Sequence, residues 1–313
     1  MLRLSAPMKS SISTANHFEI GVAGSELNLL IASQALGASG RFVTRLPDGD
    51  LAGIVRRHVL SYGLELQSND EAGSRVGLFF YESGAPPRPS RVLYDRRDSA
   101  ASHLRPDTFD WDEVLDGANC AHTSGITSAL GDGPHQSVVT FLATARRLGI
   151  ATSYDMNFRA QLWSVESARN CYEEILPFVD ILFVSPYDLS LICAREADVN
   201  VLAAEVTARF GSSTIVIRER FEKSGTEFGV IVRVIGQSEI RSVAKGQVVD
   251  ELGAGDAAAA AFLTSILLGA TLSESVERCA RAYARMLTIP GDSWSGSMED
   301  LTTEYLDQRR VQR

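Results

Sequence analysis

Polar and apolar positions along the chain follow two different periods. Short runs rich in Val, Ile and Phe, bounded by turn residues, predict strands at Ala118 to Gly125, Ile150 to Asn157, Ile181 to Ser185, Thr214 to Glu219 and Phe228 to Ile235. Between them, QSVVTFLATARRLG and ESARNCYEEILPF repeat apolar residues at i, i+3 and i+4, and the first closes on Gly149 as a helix should. Thr271 and Glu274 form a capping box that opens a later helix through Val276, Cys279, Tyr283 and Leu287. Alternation of this kind predicts an α/β fold with a mostly parallel sheet covered on both faces. The early region departs from it. Ser74 to Glu82 and Arg91 to Arg96 flank a proline-rich turn with no helix between them. With His17 to Val22 they predict a small β-sheet lid, near 17–23, 74–82 and 90–97, over one domain spanning 1–313.

Composition narrows the function classes. With 313 residues, 45% hydrophobic and 22% charged, the chain can bury one large core, which excludes disordered and fibrous classes. No apolar run reaches the roughly 18 residues of a membrane span, so no membrane association is expected. A net charge of -9 without long single-sign blocks argues against a nucleic-acid partner, and an anionic substrate would need a few placed arginines. Cys120, Cys171, Cys193 and Cys279 are scattered singly, the usage of a reducing, cytoplasmic compartment. The five histidines show no metal-ligand spacing, and no P-loop, protein-kinase or GxSxG motif is present.

The candidate chemistry centres on VVDELGAGDAAAAAFLTSILLGAT, Val248 to Thr271. A helix N-terminus presents unpaired N–H groups and about half a positive charge, and Gly253, Ala254 and Gly255 would let an anion approach them closely. Asp256 reads in two ways, as an N-cap or as a carboxylate that takes a proton from an attacking hydroxyl. The helix that follows has no polar face, so its N-terminus is driven into the interior. Two other stretches supply charge. YDMNFRAQLW brings Asn157 and Arg159 to the end of a central strand, where open parallel sheets gather ligands. YDRRDSAAS ends a lid strand, with Tyr94 and Arg96 on one face by alternation. Two arginines and a tyrosine converging from lid and body suit a carboxylated, hydroxyl-rich small molecule.

These segments, in their order, resemble the ribokinase-like sugar kinases, among them the 2-keto-3-deoxygluconate kinases. AGSELN, GLFFYE, YDRRDSAAS, HTSGITSAL, YDMNFRAQLW, VIRE, GAGDAAAAAF and TIPGD carry the resemblance over nearly the whole chain. It implies a three-layer sandwich whose β-sheet lid forms a homo-oligomer clasp, ATP with Mg2+, and phosphoryl transfer to the primary hydroxyl of a keto-deoxy sugar acid. Asp256 would be the base and Gly253 to Gly255 the phosphate cradle. Gly24 and Asn28 would hold sugar hydroxyls, Tyr94 and Arg96 the keto-acid end, and Ile126 the pocket wall. Asn157, Arg159 and Arg218 would meet the nucleotide, with Arg159 also touching the sugar, and Asp188 the metal.

The departures from the family pattern carry expectations of their own. Ala23 replaces the first glycine of a usual pair, and Asp250, Glu251 and Leu252 stand where Asp-Thr-Thr is usual. Glu251 at about 4 Å from the phosphates would oppose them by roughly 4 kcal/mol, so it must face away or be neutralised. Ser185, Pro186 and Asp188 replace the magnesium-associated Asn-Glu-x-Glu. MLRLSAP begins partway along the family's first strand, which points to a start upstream or a clipped lid. A weakened relative that senses a sugar acid is the competing reading. A nicotinamide oxidoreductase fits less well, because its glycine fingerprint belongs near the first strand.

Overall fold

A computed structural model describes residues 1–302 other than 9, 85–86, 225–226 and 236–239. Twelve strands are formed among the described residues: β1 Leu2–Ser5, β2 Glu19–Val22, β3 Arg41–Pro47, β4 Glu65–Glu71, β5 Leu78–Glu82, β6 Arg91–Asp95, β7 Cys120–Ser124, β8 Ala151–Asp155, β9 Ile181–Val184, β10 Thr214–Ser224, β11 Glu227–Ile235 and β12 Ile240–Gln247. The central sheet runs β12-β11-β10-β9-β8-β7, parallel from β7 to β10 and antiparallel at the β11 and β12 end.

Both faces of β9 and the first half of β10 are covered, which is why ILFV and TIVI read as continuous apolar runs. Phe183 and Val216 point to one side, against the helices Ser25–Ala35, Ala254–Leu267 and Leu272–Met286. Leu182, Val184, Ile215 and Ile217 point to the other, against Asp132–Arg147, Val165–Ile175, Pro186–Cys193 and Val199–Phe210. The Ala254–Leu267 helix lies in the first layer with every residue from Ala257 to Ser265 buried, and Phe262 meets Phe183 edge to face at 5.7 Å. Alanines let it approach its neighbours closely, so its N-terminus is carried inside the molecule as its composition requires. The capping box at Thr271 and Glu274 is present, and Gly149 follows the Asp132–Arg147 helix at φ 74.

The lid is a four-stranded sheet, β2-β1-β5-β6. Its interior strand β1 forms within MLRLSAP, the segment read as part of a first strand, and pairs over its whole length with β2 on one side and β5 on the other. β3 and β4 form a separate parallel pair, unforeseen because ELQSNDE has no apolar run. Alternation divides the lid. Phe79, Tyr81 and Tyr94 cluster with Ala23 and Leu252 towards the body, while Leu4, Ile20, Phe80 and Leu93 lie in register in one row on the opposite face.

Candidate active site

Three chain segments meet at the mouth of the buried helix. Gly253 is its N-cap in the left-handed region at φ 74, and no side chain caps the helix. A Cβ at Gly253 would lie 2.5 Å from the carbonyl oxygen of Asp292, so the turn and the Gly291–Asp292 loop fit only with glycine there. Asp256 is therefore not the N-cap that its position suggested. It occupies the third helical position, and its carboxylate turns sideways to the Ser25–Ala35 helix, accepting from Ser25 Oγ at 2.6 Å and Asn28 Nδ2 at 2.8 Å. Among the described residues no side chain takes the first-turn amides near Gly253, Ala254 and Gly255, a cradle that fits an anionic phosphate.

Burial raises the Asp256 carboxyl from 3.8 to about 6, opposed by the hydrogen bonds from Ser25 and Asn28, reinforced by Asp155 and offset again by Arg159. A base with that affinity is ionised at neutral pH and still strong enough to take a proton. Asn28 extends the site. Its Oδ1 is buried and accepts from nothing among the described residues, which leaves an acceptor for a hydroxyl. Gly24, the N-cap of the same helix, has only Leu27 Cβ, at 3.9 Å, near its open side. Ile126 lies half-buried on the short Gly125–Ser128 helix, its amide held by Ser124 Oγ.

The two arginines arrive as the sequence suggested. Arg96 follows β6 and lies over the Tyr94 ring at 4.0 Å. It is buried, yet among the described residues Nε and Nη2 have no hydrogen-bond partner, and Nη1 reaches Met1 Sδ at 4.0 Å. Burial lowers its pKa, with Tyr94 opposing and Arg159 adding to the fall, so Arg159 lies within electrostatic reach of both Arg96 and Asp256. Arg159 Nη1 is held by the carbonyls of Asn157 and Phe158 at 3.3 and 3.1 Å. Asn157 sits at φ 40, a conformation that asparagine tolerates better than most residues, and donates from Nδ2 to Ser25 Oγ at 2.9 Å.

Two expected ligand contacts have other occupations. Arg218 crosses from β10 over the Phe183 ring of β9 and pairs through Nη2 with both oxygens of Asp155 on β8, each at 2.8 Å. Its Nη1 donates to the Gly255 carbonyl at 2.7 Å, so it braces the helix mouth from below. Asp188 Oδ2 closes a capping box with the amide and hydroxyl of Ser185. Among the described residues no group of three or more His, Cys, Asp or Glu side chains could hold a metal, and a magnesium ion bound to nucleotide phosphates needs no such group. Glu251 is neutralised, as its neighbourhood demanded, by Arg220 at 2.7 Å.

Sequence reasoning missed several working parts. Asp250 accepts from Tyr81 Oη at 2.8 Å and from the Leu252 and Gly291 amides, tying lid, turn and loop together. Arg3 pairs with Asp292 at 2.8 Å and fastens β1 to the same loop. Glu26 accepts from the hydroxyls of Ser124 and Thr127, both at 2.7 Å. Ser25 was the nearest to being found, since it adjoins Gly24 in AGSELN.

A half-buried carboxylate beside a helix mouth that no side chain caps, with a buried lid guanidinium two of whose nitrogens have no hydrogen-bond partner among the described residues, gathers the kinds of group that moving a phosphate onto a small hydroxylated molecule would use. The chain belongs to the pfkB family of carbohydrate kinases, whose model matches residues 2–290. It is 33% identical over 292 residues to 2-dehydro-3-deoxygalactonokinase of Haloferax volcanii, covering 93% of this chain and 90% of that protein. It is 28% identical to 2-dehydro-3-deoxygluconokinase of Thermoproteus tenax, over 94% of this chain and 87% of the relative. Among solved structures, 2-dehydro-3-deoxygluconokinase of Thermotoga maritima superposes with a TM-score of 0.90 at 31% identity, covering 96% and 94% of the two chains. The three-layer sandwich with its sheet lid is therefore a ribokinase-like fold, and the protein is a carbohydrate kinase.

Proposed function

We propose that the protein transfers the γ-phosphoryl group of ATP to the primary hydroxyl of 2-keto-3-deoxygluconate or its galacto epimer. The observation that carries this reading is Arg96, a buried guanidinium whose Nε and Nη2 have no hydrogen-bond partner among the described residues. Burying an unpaired charge is costly, and the cost is offset when a substrate carboxylate arrives to take two of its hydrogen bonds. Asn28 Oδ1 offers the matching acceptor for a sugar hydroxyl. ATP supplies the phosphoryl group, and Mg2+ bound to it reduces the charge that the incoming hydroxyl meets.

The chain's own residues do the rest. Tyr94 and Arg96 fix the acid end from the lid, Asn28 orients a hydroxyl, and Asp256 removes the proton of the attacking hydroxyl. The Gly253–Gly255 turn holds the phosphate against the helix N-terminus, with Arg159 between the two substrates. Asp256 has its hydrogen-bond partners in place, which favours turnover over a sensing role that would need only the arginines. In a coupled assay, ADP release should follow sugar acids and not neutral sugars. Release with neutral sugars alone would refute the substrate class.

The outer row of the lid supports a homodimer. Ile20 is 54% and Leu93 38% exposed, beside Leu4 and Phe80, and such a row on a four-stranded sheet is apolar surface that water disfavours. Sedimentation velocity should show a dimer that Leu93→Lys converts to monomer. A monomeric wild-type chain at micromolar concentration would dismiss the clasp.

A further inference from the structure

We propose that Ser25 is a positioning residue that keeps Asp256 ionised and aimed at the hydroxyl to be phosphorylated. The inference rests on the reading of Asp256 as the base and assigns a task to a side chain outside the expected set.

Ser25 is the first residue of its helix, buried, with Oγ between two partners contributed by distant segments. Asn157 Nδ2 lies 2.9 Å away on one side and Asp256 Oδ1 2.6 Å away on the other. The proton order in this chain is fixed. A carboxylate can only accept, so the single hydroxyl hydrogen of Ser25 must go to Asp256. The lone pair left over accepts from Asn157, whose amide is presented by its φ of 40 and by the bond from its own N–H to Asp155 Oδ1 at 3.2 Å. The result is a one-way relay, Asn157 to Ser25 to Asp256, in which every donor stabilises negative charge at its end. A hydrogen bond to an ionised acceptor is worth more than one between neutral groups.

That donation has opposition to overcome. Burial pushes the Asp256 carboxyl upward, and Asp155 on β8 adds to the rise. Arg159, from the loop after β8, opposes it. Arg218, from β10, is engaged by Asp155 and the Gly255 carbonyl. On the Ser25–Ala35 helix itself, Ser25 and Asn28 are the donors to the carboxylate. Asn28 serves the other oxygen, so Ser25 holds Oδ1 and fixes the rotation of the group.

The test is the dependence of kcat/KM for the sugar acid on pH, at saturating ATP, for the wild type, Ser25→Ala and Asp256→Asn. The wild type should show an acid limb near pH 6. Losing the hydroxyl should move that limb upward by about one pH unit, with a roughly tenfold loss at the acid end. At alkaline pH the variant should come within about twofold of wild type, because the carboxylate is then ionised without help. That recovery shows the variant to be folded. An unmoved limb, or a loss equal at every pH, overturns the inference if Asp256→Asn is inactive. If Asp256→Asn turns over normally, the reading of Asp256 as base falls first and takes the role of Ser25 with it.

Discussion

Asp256→Asn should lower turnover by about a hundredfold or more while leaving the Michaelis constant for the sugar acid nearly unchanged, and it should make the protein more stable at neutral pH. The two effects share one cause. In the fold the Asp256 carboxyl titrates near 6, above the 3.8 of an unfolded chain, because burial disfavours its charge. Protonation therefore stabilises the fold fully only below the unfolded value, and that contribution is lost as pH rises through about 6. Above it, the ionised group costs the folded state about 3 kcal/mol relative to the unfolded chain. Asparagine removes the charge and keeps the shape. Its Oδ1 can accept from Asn28, and its amide can donate to Ser25, whose hydroxyl has a second lone pair free for the purpose. Thermal melting at neutral pH should show a higher midpoint, alongside lost activity, as expected where a functional charge is held against its preference. Near-normal turnover would remove Asp256 from the role of base, and a lowered midpoint would contradict the burial cost.

Arg96→Ala should raise the Michaelis constant for the sugar acid by about 2 kcal/mol, roughly thirtyfold, with little change in that for ATP. The guanidinium comes from the lid, over Tyr94, and has no other anion to hold among the described residues. Neutral ketoses should be affected far less, because they never supplied the missing carboxylate. An equal loss on acid and neutral substrates would mean that Arg96 only supports the lid. The acid specificity would then fall while the kinase assignment stood.

What could be read from the sequence follows from how local each signal is. Central strands such as Ile181–Val184 were readable because both faces are buried and their composition says so without knowledge of neighbours. The Glu65–Glu71 strand was not, since its polar residues line an outlying two-stranded pair. The glycine turn stood out by its place before an apolar helix, Tyr94 and Arg96 by strand alternation, and Asn28 only through the resemblance of AGSELN to the family. Ser25 and Asp155 acquire meaning only when residues 25, 155, 157 and 256 are brought together by the fold. The pairing of Arg218 with Asp155 was hidden for the same reason: nothing along the chain shows that β10 lies with only β9 between it and the carboxylate on β8. Asp256 stood out beside the glycine turn, but its orientation depends on Ser25 and Asn28, far away in sequence.

The most direct measurement compares kcat/KM for ADP release from Mg-ATP with 2-keto-3-deoxygluconate, its galacto epimer, ribose and fructose. A site that buries Arg96 without a partner should favour at least one acid over both neutral sugars by about a hundredfold or more, since a neutral sugar leaves the charge unpaired. Ribose or fructose turning over as well as the acids, or no ADP release with either acid, would contradict the assignment.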